Sequence, residues 1–193
     1  MNIDMREQIL QASLDELRMH GPNFHMDDLA RRLRISKRTL YEHFSSKQEM
    51  IIEALYSLMD EVYTRHVKLL QDPDLTAEEK LVEYASGKVF SMRKAKEIFT
   101  KMPEICATMQ TYSERDWKVL EQIFEQAQEN DEFNHFDKEL LIHMLHSAAD
   151  DVLDFLEQTN QDYSFPEYME KCIRIILYGI KKDRGLTLHD KEG

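Results

Sequence analysis

The chain has 193 residues, 42% of them hydrophobic, and carries 25 Lys/Arg against 37 Asp/Glu for a formal charge of −12. This apolar content suffices for one good core or for a small module plus a larger one, and only five Gly and four Pro interrupt a composition rich in helix formers, so the expected fold class is all-α. Residues 1–6 are charged rather than the start of an apolar signal core, no apolar run approaches the ~20 residues of a membrane span, and Cys106 and Cys172 lack metal-binding or redox spacing. The expectation is a cytoplasmic protein with reduced thiols, no cofactor and no membrane partner.

The first helix is predicted over 4–19, where Ile9, Leu10, Ser13, Leu14 and Leu17 make one stripe at helical spacing, and Gly21-Pro22 ends it. A short second helix over 27–33, the turn Arg34-Ile35-Ser36 and a third helix over 37–43 follow, a spacing that fits a helix-turn-helix. Leu29, Ala30, Leu33, Ile35, Leu40 and Phe44 can all face the first helix, which frees the remaining positions for solvent or a ligand. Ser46 and Glu49 have the spacing of a capping box that opens a fourth helix to about residue 70, roughly 35 Å long. A second box at Thr76 and Glu79 opens a helix to about 91. Pro103 splits 96–110 into two short helices, and longer ones are predicted over 113–130, 137–158 and 166–182. The expected domains are 1–46, a helix-turn-helix unit, and 47–193, a larger helical unit to which helix 47–70 connects it.

The acidic total conceals an uneven distribution. Residues 1–50 hold eight Lys/Arg and eight Asp/Glu, leaving 17 against 29 for the rest of the chain. Within 29–48 the cations Arg31, Arg32, Arg34, Lys37, Arg38 and Lys47 face one acid, Glu42. Such a cluster on a short helix is an electrostatic footprint for DNA. Ser36 is placed to cap the third helix and turn its first amides toward a phosphate. Lys37 and Arg38 occupy the first turn, where recognition helices reach bases and an Arg can pair bidentately with guanine. Thr39, Tyr41 and His43 supply further contacts, and Lys47 stands at the positive end of the fourth helix.

Asp28-Leu29-Ala30, then Ile35 to Phe44 with its Thr-Leu-Tyr-x-His-Phe core, then Ser46-Lys47, resemble the DNA-binding signature of the tetracycline-repressor (TetR) family. The likeness spans about residues 6–55; beyond them it is one of length and helix number. It implies a homodimer on an operator in double-stranded DNA, a C-terminal domain that senses a small-molecule effector, and repression relieved by that effector. It also implies that Tyr41 and Lys47 touch phosphates, that Lys37, Arg38, Thr39 and His43 face the major groove, and that the last two helices pair across a two-fold axis. Two positions depart from the family pattern. His25 stands where Ser or Thr usually precedes the second helix, so Asp27 is the expected substitute cap. Arg34 stands where Gly is common, at a cost of about 1 to 2 kcal/mol if the backbone there is left-handed, which a phosphate contact by Arg34 would offset.

For the second unit, Cys172, Ile173, Ile176, Leu177 and Ile180 form the stripe expected at the dimer interface, with Gly179 allowing close approach. Met59, Tyr63, Phe90, Met92, Phe99, Met102, Met109, Tyr112 and Trp117 are the expected apolar lining of an effector pocket. His143, His146 and Asp150, with Asp154 beyond them, share a helical face at metal-ligand spacing, but no nucleophile motif or Gly-rich phosphate loop accompanies them. The reading is therefore a DNA-binding transcriptional regulator and not an enzyme. The alternatives are a dimeric interaction protein that has lost operator binding and, behind it, a metal-dependent enzyme on the His/Asp face.

Overall fold

In the computed structural model, which describes residues 4–86 and 92–180, every regular element is helical. The order is α1 (Met5–His20), a 3-10 turn (Gly21–Asn23), α2 (Met26–Leu33), α3 (Lys37–His43), α4 (Lys47–Gln71), α5 (Ala77–Tyr84), α6 (Met92–Lys101), α7 (Glu104–Glu129), α8 (Lys138–Thr159) and α9 (Phe165–Ile180).

Side chains that satisfy the first free amides start most of these helices. Ser36 accepts from Thr39 N at 3.0 Å, Asp137 from Leu140 N at 2.9 Å, and Thr76 forms a complete box with Glu79. The box predicted at Ser46 closes one residue early: Ser46 accepts from Glu49 N at 3.0 Å, but Glu49 returns to the amide of Ser45 at 2.6 Å. A further box, Ser164 with Glu167, starts α9. No side chain caps α2; Asp27, expected to do so, reaches Lys37 instead.

Two helix boundaries differ from expectation. The helix begun at Thr76 ends at Tyr84 rather than near 91. The two elements predicted on either side of Ser113 are one helix, α7, because Thr111-Tyr112-Ser113 contains no Gly or Pro and a serine inside a helix can be mistaken for its cap. The break at Pro103 lies where it is predicted, between α6 and α7.

The buried apolar residues form two large clusters. In the first, Ile9, Leu14 and Leu17 of α1 meet Leu29, Leu40 and Phe44, and the cluster is completed by Met50, Ile51, Ala54 and Leu55 of α4, by Ile98 of α6, by Met102 in the break after it and by Ile105 of α7. The core around the helix-turn-helix therefore draws on residues far beyond 46. In the second, Leu120, Ile123 and Phe124 of α7 pack with Leu81, Phe133, Leu141, Leu145, Ile173 and Leu177. Tyr63, Val67 and Leu70 of α4 pack against this second cluster, so α4 belongs to both.

Only Leu40 is buried among the seven residues of α3. Leu40→Ala should cost about 2 to 5 kcal/mol, the range for large-to-small substitutions in a core, and urea unfolding of the purified protein measures it.

Candidate nucleic-acid interface and internal cleft

The buried side of α3 is fixed by more than Leu40. Arg6 of α1 donates from Nη1 to the carbonyl of His43 at 2.6 Å, pairs with Glu53 of α4, and lies over the Phe44 ring at 4.3 Å. One guanidinium thus ties the end of α3 to both neighbouring helices. Arg32 does the same for α2, reaching Asp15 at 2.6 Å and the buried Glu16 at 3.2 Å on α1. Neither tie is apparent from sequence, because the partners lie 16 to 47 positions apart.

The opposite side of α3 faces water. Arg38 is 88% exposed at its side chain and pairs with Glu42 one turn on, at 3.0 Å; Lys37 pairs with Asp27 at 3.2 Å. Tyr41 is 46% exposed, an aromatic left in solvent beside these cations. Ser36 is exposed, Thr39 is half-buried with its hydroxyl 2.8 Å from that of Ser36, and His43 is half-buried. These ion pairs are solvent-screened and cheap to exchange, so phosphates can replace the carboxylates.

Arg34 is the C-cap of α2 with φ 57° and ψ 37°, the left-handed conformation in which a non-glycine residue is strained. Its side chain is exposed with no carboxylate in salt-bridge range among the described residues.

Lys47 does more than face outward. Its ammonium donates to the carbonyls of Pro22 at 2.6 Å and Phe24 at 2.5 Å and sits 4.2 Å from the centre of the Phe24 ring. Burial, with Lys101 nearby, lowers its pKa from the ordinary lysine value. An ammonium has three N–H groups, so a phosphate would find one still available. The same segment is held from the other side by α6: Asn23 donates to Glu97 at 2.6 Å and accepts from Lys101 at 2.5 Å. Gly21 has φ 64°, and a Cβ there would meet the Glu97 carboxylate at 2.8 Å.

A cleft of about 1490 Å³ opens between α1, α4, α6, α7, α8 and the start of α9. Of the residues expected to line an effector pocket, Met59, Phe99 and Trp117 border this cleft. Met102 lies in the first core, and Tyr63 and Tyr112 stack about Arg115 at 4.2 and 5.5 Å without forming the cleft wall. Phe90 lies outside the described residues, as do the side chains of Met92, Met109 and Ile180.

One wall carries a polar network. His66, 4% exposed, brings Nδ1 to Asp116 Oδ1 at 2.7 Å; the Tyr84 hydroxyl donates to Asp116 Oδ2 at 2.9 Å; Arg65 Nη2 lies 3.2 Å from His66 Nε2 and donates to Ser86 O at 2.6 Å. Burial first, and Asp116 second, hold the Tyr84 phenol well above its ordinary pKa, so it stays a donor. Sequence reasoning misses this group because residues 65, 84 and 116 share no local pattern.

The expected interface stripe is corrected. Ile173 and Leu177 are 0% and 5% exposed within the single chain, packed on its own core, and Cys172 and Ile176 pack against the same cluster. A helix apolar on two faces offers two stripes, and the one chosen from sequence turns inward. The exposed face is made instead by Ile175 and Tyr178 of α9, 73% and 90% exposed, with Leu140, Met144 and Phe155 of α8. The metal face is not assembled either. His143 is exposed, His146 is stacked on Trp117 with ring centres 4.0 Å apart, and no group of three His, Cys, Asp or Glu among the described residues is placed to hold a metal ion.

Residues 9–54 match the family of bacterial regulatory proteins described as the tetR family. The uncharacterised HTH-type transcriptional regulator YvaF of Bacillus subtilis strain 168 is 21% identical over 184 residues, covering 93% of this chain and 97% of that protein. Two solved structures share the fold. Escherichia coli NemR in its reduced form aligns with a TM-score of 0.69 at 17% identity, over 94% of this chain and 100% of that one. A transcriptional regulator from Saccharomonospora viridis in complex with choline aligns at 0.67 and 22%, over 92% and 98%.

Two substitutions separate structure from contact at this surface. Arg34→Gly should raise unfolding free energy by about 1 kcal/mol through relief of the left-handed strain, less the added freedom of the unfolded glycine, while weakening DNA binding. Lys47→Ala should lower stability by about 1 to 2 kcal/mol, at the lower end for charge-assisted hydrogen bonds because the ammonium is only half-buried. Denaturant midpoints measured without DNA test both.

Proposed function

We propose that the chain, whose residues 9–54 match the tetR family of bacterial regulatory proteins, is a homodimeric repressor that leaves its operator when the cleft takes up a small organic effector. The observation that carries this reading is the division of α3 into a clamped inner side and an outer side bearing Lys37, Arg38 and Tyr41. Lys37, Arg38, Thr39 and His43 are assigned to the major groove, Tyr41, Lys47 and Arg34 to phosphates, and the capped start of α3 at Ser36 to the backbone.

Two-fold operators require two copies of α3 held about one DNA turn apart, ~34 Å. The apolar face of Ile175, Tyr178, Leu140, Met144 and Phe155 supports pairing of α8 and α9 between copies, and Gly179, where a Cβ would meet nothing within 4 Å, supports close approach. Large exposed apolar side chains on adjacent helices are an unfavourable surface unless covered.

Coupling between cleft and DNA is assigned to α6 together with α4. α6 supplies Ala95, Ile98 and Phe99 to the cleft and, through Glu97 and Lys101, grips Asn23 beside α2. α4 spans from cleft residues such as Met59 to Lys47 at the interface. A shift of either helix on ligand binding changes the separation of the two recognition helices.

Titration of labelled DNA from the region upstream of its own gene, against random DNA at two salt concentrations, should show selective binding that weakens steeply with salt; equal weak binding to both would favour the interaction-protein reading. Arg38→Ala should lose about 1 to 3 kcal/mol of discrimination between specific and random DNA. Substituting Ile175 and Tyr178 together by Glu should yield a folded monomer in sedimentation, with operator affinity lost.

A further inference from the structure

We infer that the cleft receives an amphipathic ligand with an acidic, oxygen-bearing head, a carboxylate or a comparable oxyanion, and that Arg65 is the residue that binds this head. The inference rests on the cleft being the effector site and adds the chemical class of its occupant.

Arg65 lines the cleft on α4. A guanidinium carries five N–H donors and no acceptor. Among the described residues Nη2 is engaged, with Ser86 O and His66 Nε2, while Nε is buried without a partner. Among the described residues no carboxylate lies within 4.0 Å of this cation. Donors buried without acceptors are costly, and a ligand oxygen would remove that cost.

The network behind Arg65 fixes its orientation without neutralising it. Asp116 accepts from both His66 Nδ1 and the Tyr84 hydroxyl, so its two oxygens are occupied. Because Nδ1 donates to the carboxylate, Nε2 of His66 is left as an acceptor for Arg65 Nη2. The His66 ring therefore stands between the positive guanidinium and the carboxylate of Asp116. That arrangement is a pre-oriented positive site. His146 adds a second polar atom on the same cleft: its ring lies on Trp117, and its Nε2 is buried without a partner.

Other acids on the cleft do not favour a cation in its place. Asp60 pairs with Arg115 at 3.9 Å, and Glu61, Glu114 and Asp150 are exposed to water. Much of the remaining wall is apolar, with Leu58, Phe99, Trp117, Val152, Phe165 and Met169 among its residues, beside polar side chains such as Arg18, Lys68 and Gln110. At about 1490 Å³ the cleft exceeds the ~300–1,000 Å³ usual for small-molecule sites, which suits an extended apolar body behind the head.

Trp117 is the single tryptophan of the chain, so its fluorescence reports on the cleft directly. The full-length protein is titrated with decanoate, decan-1-ol and decyltrimethylammonium, all below their micelle concentrations, followed by Trp117 emission and calorimetry. Decanoate should bind about tenfold or more tighter than either of the others, the change that a charge-assisted hydrogen bond brings. Arg65→Gln should abolish the preference while keeping affinity for decan-1-ol within about twofold. Arg65→Lys, which keeps the charge but loses the planar fork, should retain part of it. The comparison among head groups on the unsubstituted protein stands even if a variant fails to fold. Tighter binding of the cationic or neutral probe, or decanoate affinity unchanged in Arg65→Gln, overturns the assignment of the head while leaving the effector site in place. No change in Trp117 emission or heat with any probe overturns the effector-site reading itself, and operator binding, measured separately, is unaffected by that result.

Discussion

A seven-residue helix does not hold its own shape in water, since isolated helices below about 12 residues are marginal. α3 must nevertheless present its outer side chains at fixed positions if it is to read a DNA groove. Its neighbours meet this requirement: Leu40 anchors the middle, Ser36 caps the start, and Arg6 grips the last carbonyl while leaning on Phe44. The contacts of Leu40 and Arg6 lie on the inner side. The outer side is thus left with pairs such as Arg38 with Glu42, which are weak enough to be exchanged for contacts with a ligand.

The same separation of inner support from outer chemistry recurs in the second unit. His66, Asp116 and Tyr84 are buried or nearly so and satisfy one another, while Arg65, held by them, keeps its Nε without a partner among the described residues at a largely apolar cleft. At the cleft the charged side chain is oriented by hydrogen bonds to groups that do not themselves cancel its charge. α6 lies between the two, touching the cleft with Ile98 and the turn at Asn23 with Glu97.

The helix-turn-helix is legible because its signals are local. The stripe of α1, the Gly21-Pro22 stop, the Ser36 cap and the basic outer face of α3 all arise within a few positions, and the family match over 9–54 covers that same stretch. What escapes the sequence is set by contacts between distant residues. Nothing local shows that Arg32 turns back onto Asp15 and Glu16, that Lys47 is spent partly on the carbonyls of Pro22 and Phe24, or that Arg65 and Asp116 share a histidine. On α9 Ile173 with Leu177 and Ile175 with Tyr178 form two apolar stripes, and only tertiary packing shows that the first of them, the one chosen from the periodicity, is buried within the chain. The serine at 113 misleads for a related reason: a residue that begins helices also occurs within them.

α4 places residues in both large cores, Met50 to Leu58 in one and Tyr63 to Leu70 against the other. A helix shared in this way cannot melt at one end without withdrawing packing from the other. The two units should therefore unfold as a single cooperative event, with no stage at which the DNA-binding part survives alone. Evolution is constrained correspondingly. A substitution that reshapes the cleft for a new ligand also draws on the stability of the part that reads DNA, so changes in ligand preference will tend to travel with compensating changes in the N-terminal core.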